Sequence, residues 1–394
     1  MKTYSREQFV KDVTAGIIVA IIALPLSIAL ALASGVGPEA GIFTAIVAGF
    51  VISALGGSSV QIAGPTAAFA TIVAGIVAKN GLDGLVIATI LAGIFLILMG
   101  LCHFGTLIRF IPYTITTGFT AGIAVTIVIG QLKDFFGVTY PDGVKPIETM
   151  EKLHAFVENC GTVNLSAVIV GVVSLAILII SPYIFKKIPG SLLAVVAGIL
   201  MVKFLPLKAS TIGDLYSISN ALPGFHLPAL SLAAVKDAIP NAFTIAVLAA
   251  IESLLSCVVA DGMINGKHRS DMELVAQGAG NIASALFGGI PATGAIARTA
   301  ANIKNGGRTP IAGMVHSITL VLVLVVLMPY AGMIPMPTIA AILFVVAYNM
   351  CQWRPFAHLI QTAPKSDILV LLVTFFLTVV FDLVVAIEIG MLLT

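Results

Sequence analysis

Charge is scarce in this chain. Asp, Glu, Lys and Arg make up 10% of its 394 residues, where a soluble domain carries roughly 25%, and the mean hydropathy is +1.11. That composition excludes a soluble enzyme and leaves a polytopic membrane protein in a lipid bilayer. Cysteine is scarce too: Cys102, Cys160, Cys257 and Cys351 show no C-x-x-C spacing, which argues against a disulfide framework or a zinc site. The six histidines include no H-E-x-x-H, and no nucleophile–base pair stands out, so no enzymatic activity and no resident cofactor are expected. A net charge of +2 without a Lys/Arg cluster gives no reason to expect a nucleic-acid partner. The first apolar run, from Val13 to Ala33, is too long for a signal-peptide core and is read as a retained span.

What the chain has in quantity is apolar runs bounded by charge or by Gly and Pro. They place about fourteen segments, an all-α polytopic fold. Seven lie near 13–34, 38–56, 65–78, 84–102, 111–132, 165–185 and 190–206. Seven more lie near 240–260, 272–287, 294–304, 310–330, 335–350, 367–381 and 383–394. Residues 1–206 are therefore expected to form one seven-span repeat, 207–239 an extracellular linker, and 240–394 a second repeat. Seven is odd, so the second copy runs upside down, and an inverted repeat builds its site near the bilayer midplane. With the N-terminus inside, the inside loops collect twelve Lys and Arg against seven outside, most of the latter in the two longest loops. A cytoplasmic N-terminus is expected. The chain stops at Thr394 within an apolar run, and a following cytoplasmic segment is expected to have been removed.

The third and tenth segments are short, and each follows a break. One break reads Gly56-Gly57-Ser58-Ser59-Val60-Gln61-Ile62-Ala63-Gly64-Pro65-Thr66, the other Gly288-Gly289-Ile290-Pro291-Ala292-Thr293-Gly294. A matched pair of broken helices is the sequence pointer to a transporter's substrate site, because lipid cannot satisfy the freed amides. Both helix starts fall near mid-membrane and face each other. Their unpaired amides and partial positive charge, at Thr66, Ala67 and Ala68 and at Gly294, Ala295 and Ile296, form an expected anion cradle. The bland reading is a pair of kinked packing helices. Arg298 lies just inside the tenth segment. At that depth an arginine costs about 2.5–3.5 kcal/mol and faces a cavity or a partner: it adds positive potential for the anion, or pairs with Glu252, or snorkels. Glu252 sits in Ala249-Ala250-Ile251-Glu252-Ser253-Leu254-Leu255-Ser256, with Ser256 four residues on and on the same helix face. A carboxylate beside a hydroxyl and broken-helix carbonyls, that of Gly294 among them, suits a coupling Na+. It equally suits a proton, or an ion pair with Arg298. Asp382 and Glu388 lie in the last spans, and Glu388 has no assigned role.

Taken together, several motifs resemble the membrane domain of the sulphate permease (SulP) family. They are Asp12-Val13-Thr14-Ala15-Gly16, Leu24-Pro25-Leu26-Ser27, Gly64-Pro65-Thr66-Ala67, Glu252-Ser253-Leu254-Leu255-Ser256, Ala260-Asp261-Gly262-Met263, Glu273-Leu274-Val275-Ala276-Gln277-Gly278, and Phe287-Gly288-Gly289-Ile290-Pro291 leading through Arg298-Thr299-Ala300-Ala301-Asn302 to Gly306-Gly307-Arg308-Thr309-Pro310. The resemblance implies a fourteen-span inverted repeat with core and gate domains, a dimer, a cytoplasmic STAS domain after the last span, and a bacterial inner-membrane location. It implies an anion between spans three and ten, at Thr66, Ala67, Gly294 and Ala295. Sodium-dependent bicarbonate transporters of the family carry Asp and Thr where this chain has Glu252 and Ser256, and a hydroxyl where it has Ile296. The expectation is a secondary active carrier of a small oxyanion working by alternating access, bicarbonate first, coupled to Na+ or H+ through Glu252. Sulphate and C4-dicarboxylate symport are the alternatives within the family, and an anion channel or exchanger is the alternative class.

Overall fold

The computed structural model describes residues 4–380 except 107–112, 142, 145, 186, 187, 220 and 230. The expected last span, 383–394, with Asp382 and Glu388, lies outside the described residues. Among the described residues the protein is helical apart from one pair of two-residue strands. Eight of the described helices are long and apolar enough to cross a membrane. The elements are α1 (Arg6–Ala33), α2 (Pro38–Leu55), β1 (Ala63–Gly64), α3 (Ala67–Leu101), α4 (Tyr113–Phe136), α5 (Thr149–Glu158), α6 (Leu165–Ile184), α7 (Gly190–Phe204), α8 (Ile212–Leu215), α9 (Leu232–Ile264), α10 (Ser270–Leu286), β2 (Thr293–Gly294), α11 (Ile296–Lys304), α12 (Pro310–Ala331), α13 (Met336–Cys351), α14 (Trp353–Thr362) and α15 (Lys365–Val380). The order α2–β1–α3 recurs as α10–β2–α11, the repeated helix–strand–helix unit of a seven-plus-seven inverted repeat.

Three boundaries differ from the sequence expectation. Spans three and four are two helical stretches of α3, joined at Gly81, whose φ of 71° and ψ of −172° need a residue without Cβ. The eighth helix starts at Leu232 rather than 240. Ser231 caps it through the amide of Ala234, and Pro240 lies inside it. Finally, α5 and α14 are short amphipathic helices that a search for long apolar runs passes over.

The described residues form two compact units, each drawing on both halves of the sequence: those within 4–69, 79–106 and 218–329 in one, and those within 70–78, 113–217 and 330–380 in the other. In the first, α2 packs on α1 and α10, and α11 packs on α1 and α9. Asp12 fixes the start of α1 to the turn before α12, accepting hydrogen bonds from the Tyr4 hydroxyl (2.7 Å), the Arg308 amide (2.8 Å) and the Thr309 hydroxyl (2.6 Å). In the second unit, α4 packs against α13 and α15, and α6 against α7 and α13.

Small residues set the closest helix crossings. A Cβ on Gly93 would stand 2.6 Å from the Gly278 carbonyl, and one on Gly278 would meet the Gly93 carbonyl, so α3 and α10 touch backbone to backbone. A Cβ on Gly130 of α4 meets nothing within 4 Å. Gly278→Leu is therefore expected to cost about 1–3 kcal/mol by overpacking, read as a lower melting temperature in detergent. Gly130→Ala should leave the melting temperature in place.

Candidate functional site

The two chain breaks meet. Ala63 pairs with Gly294 and Gly64 with Thr293 in an antiparallel ladder, and the Ala295 amide donates to the Ile62 carbonyl at 2.9 Å. All of this lies in the first unit. Each break is an extended segment at membrane depth, and each has its backbone groups taken up inside the protein, as lipid requires.

One helix supplies much of that satisfaction. On α10, Glu273, Gln277, Asn281 and Ser284 are all fully buried, and their spacing puts them on one face. Glu273 serves the first break. Its carboxylate accepts from the amides of Gly57 (2.9 Å) and Ser58 (3.1 Å) and from the side-chain amides of Gln61 (2.8 Å) and Gln277 (2.9 Å). Asn281 serves the second, donating to the Ala292 carbonyl and accepting from the Ala292 amide, each at 2.9 Å. Ser284 donates to the Ile290 carbonyl at 2.8 Å, and the Ile290 amide donates to Thr44 at 2.7 Å. From α11, Thr299 accepts the Ile62 amide at 3.0 Å and Asn302 donates to the Val60 carbonyl at 2.9 Å.

The expected anion-site residues come together here. Thr66 is the N-cap of α3 and Ala295 the N-cap of α11, and neither helix start has a side-chain cap. The leading amides are thus left to a ligand or water. Ala67, Ala68 and Gly294 are buried, and Thr66, Ala295 and Ile296 are half-buried beside the exposed Ala297. Gly64 and Gly294 are needed for close approach: a Cβ on Gly64 would strike the Arg298 guanidinium, and one on Gly294 the Gln61 amide. Arg298 is 2% exposed. Its Nη2 donates to the Pro65 carbonyl at 2.9 Å, while its Nε and Nη1 have no hydrogen-bond partner, nor does the Thr66 hydroxyl.

The cation residues come together less completely. Among the described residues Glu252 has no hydrogen bond or ion pair, so it does not pair with Arg298; it is half-buried on α9. The Ser256 hydroxyl lies 3.4 Å from that of Thr299. Ile296, the first residue of α11, offers no side-chain oxygen. The α9 hydroxyl that reaches the paired strands is Ser253, 2.6 Å from the Thr293 hydroxyl and accepting the Gly294 amide at 3.1 Å. Sequence reasoning passed over Ser253, Gln61 and the α10 stripe. The signal that could have found them was Glu273, Gln277, Asn281 and Ser284 recurring on one face of an apolar-rich segment.

Paired half-helix starts beside a buried arginine define a transporter of the inverted-repeat class. The comparisons agree. The sulfate permease family model matches residues 9–374. A putative sulfate transporter of Bacillus subtilis, YvdB, is 44% identical over 398 residues, covering 100% of this chain and 74% of that one. The bicarbonate transporter BicA of Picosynechococcus is 33% identical over 390 residues, covering 96% and 68%. The solved transmembrane domain of a cyanobacterial BicA superposes with a TM-score of 0.86 at 29% identity, covering 98% of each chain. Murine Slc26a9 shares the fold, with a TM-score of 0.90 at 19% identity over 100% of this chain and 68% of that one. The chain belongs to the sulfate permease family.

Glu273 tests the stitching. Glu273→Gln turns one acceptor oxygen into a donor facing other donors and should cost about 1–3 kcal/mol, seen as a lower melting temperature. Glu273→Leu strands all its donors and should prevent recovery of folded protein from the membrane.

Proposed function

We propose that this protein is a secondary active carrier of a small oxyanion, with bicarbonate as the leading substrate and Glu252 as the group that takes up the coupling Na+ or H+. The single observation that carries the anion is Arg298. It is buried at the junction of the two broken helices, and a neutral carbonyl is its only hydrogen-bond acceptor among the described residues. A guanidinium in such a place calls for a counter-charge. The other buried carboxylate near the breaks, Glu273, is already held by its own donors. The anion supplies the charge, and its oxygens find the leading amides of α3 and α11, the Thr66 hydroxyl and the free guanidinium N–H groups.

Coupling through Glu252 rests on its freedom. It is half-buried within a span and carries no protein partner among the described residues, so a cation or a proton can come and go without breaking a structural bond. Bicarbonate leads because two BicA proteins, 33% and 32% identical, cover 96% of this chain. The 44% match to a putative sulfate transporter supports sulphate as the second reading. The proposal places the carrier in the bacterial plasma membrane as a dimer, with its N-terminus in the cytoplasm.

Uptake into proteoliposomes tests each part. Arg298→Ala should raise the apparent KM for the anion by about 10–100-fold, the loss of a charge-assisted contact; an unchanged KM would reduce Arg298 to a structural role. Glu252→Gln should abolish the dependence of uptake on a Na+ or pH gradient while counterflow persists. Retained gradient dependence would remove Glu252 from coupling.

A further inference from the structure

The short helix α14 joins the apolar helices α13 and α15, and its residues divide by chemistry. Trp353, Phe356, Ala357 and Ile360 recur at i, i+3, i+4 and i+7 along one side. Arg354, His358 and Gln361 recur at i, i+4 and i+7 along the other. The helix does not continue α13, because Gln352 between them is left-handed, with φ 45° and ψ 47°. Protein covers only part of the apolar side. Phe356 packs on the Phe375 ring of α15, 5.4 Å between centres. Trp353 and Ile360 stay 49% and 39% exposed, and no residue of α14 is buried. The Trp353 indole N–H donates to the hydroxyl of Tyr348, also exposed, at 3.1 Å. Exposed Trp and Tyr in a membrane protein mark the headgroup level of the bilayer. The Arg354 guanidinium lies over the Trp353 ring, 5.4 Å from its centre. Among the described residues it has no hydrogen bond or ion pair. No Asp or Glu falls between Glu273 and Asp367 in the chain, so no acid on α14 or on α13 before it answers this arginine.

We propose that α14 lies in the plane of the membrane–water boundary and binds an anionic phospholipid, Arg354 holding the phosphate and Trp353 and Ile360 lying against the acyl chains. An amphipathic helix whose apolar side is left open by protein rests at that boundary with the open side sunk toward the acyl region. Arginine meets two phosphate oxygens with two parallel N–H groups. Its seat over the indole holds the charge at the height of the headgroups. The sign of the lipid follows from the charges present. A zwitterionic headgroup brings a cation of its own toward Arg354, and α14 has no acid to receive it. An anionic headgroup brings negative charge alone. A second copy of this chain or a downstream segment would cover the apolar side equally well, but would give no account of an unanswered cation on the other. The site is separate from the anion cradle, since α14 belongs to the second unit.

The test uses the full chain, purified and delipidated in detergent, with dioleoyl phosphatidylglycerol and dioleoyl phosphatidylcholine as probes. Lipid titrations are read by thermal stabilisation and by native mass spectrometry. Wild-type protein is expected to bind phosphatidylglycerol at least about fivefold more tightly than phosphatidylcholine. Arg354→Gln is expected to lose most of that preference, and Arg354→Lys, which keeps a point charge, to retain part of it. Trp353→Ala is expected to weaken both lipids alike. Inorganic phosphate, which has no acyl chain, should not reproduce the stabilisation. Equal binding of the two lipids by wild-type protein, or an unaltered preference in Arg354→Gln, overturns the proposal. So does stabilisation by inorganic phosphate that matches phosphatidylglycerol. Unchanged lipid binding in Trp353→Ala overturns it as well, and a lower subunit count for that variant in light scattering would assign the face to a second copy instead.

Discussion

Backbone that leaves helical geometry inside a bilayer must find its hydrogen bonds within the protein. Here that constraint is met by joining the two breaks to each other and to α10. The strand pair at residues 63–64 and 293–294 satisfies part of the backbone. The buried face of α10 satisfies much of the remainder, Glu273 holding residues 57, 58 and 61 and Asn281 holding residue 292. Because one rigid helix holds both breaks, the two half-helix starts keep a fixed separation. A cradle of amides is useful only if its donors are already in place when the ligand arrives.

With the breaks satisfied, the groups left over stand out. The starts of α3 and α11 lack side-chain caps, and Thr66, Arg298 and His316 keep unmatched buried atoms. Amides and a guanidinium set the sign of the ligand but say little about which anion it is. Identity has to come from a side chain that can accept as well as donate, and in this group the Thr66 hydroxyl does both.

The breaks were legible in the sequence because glycine and proline mark them directly: Gly56-Gly57 and Gly64-Pro65 in one half, Gly288-Gly289 and Pro291 in the other. Arg298 was legible because charge is so rare in these spans. The partners were not. Gln61, Ser253 and Asn281 are short polar residues in apolar surroundings, and which amide each one meets depends on how distant segments pack. Ser256 drew attention by its spacing from Glu252, yet it is Ser253, three residues before it, that meets Thr293 and Gly294. His316 looked like any of six scattered histidines until its lack of partners was visible. The Gly81 junction and the amphipathic α5 and α14 were missed because apolar run length is blind to a bend and to a half-polar helix.

On the proposed reading, the two acids near the breaks divide the work that coupling needs. Glu273 is fully buried and saturated by backbone and amide donors. Neutralising it in each cycle would turn an acceptor away from the first break and loosen the cradle it holds. Glu252 is half-buried and makes no hydrogen bond or ion pair among the described residues, so a change in its occupancy leaves the stitching in place. A group that switches in every turnover cannot also be the group that holds the backbone. That requirement, more than the proximity of either acid to the strands, is what favours Glu252 for the coupling role.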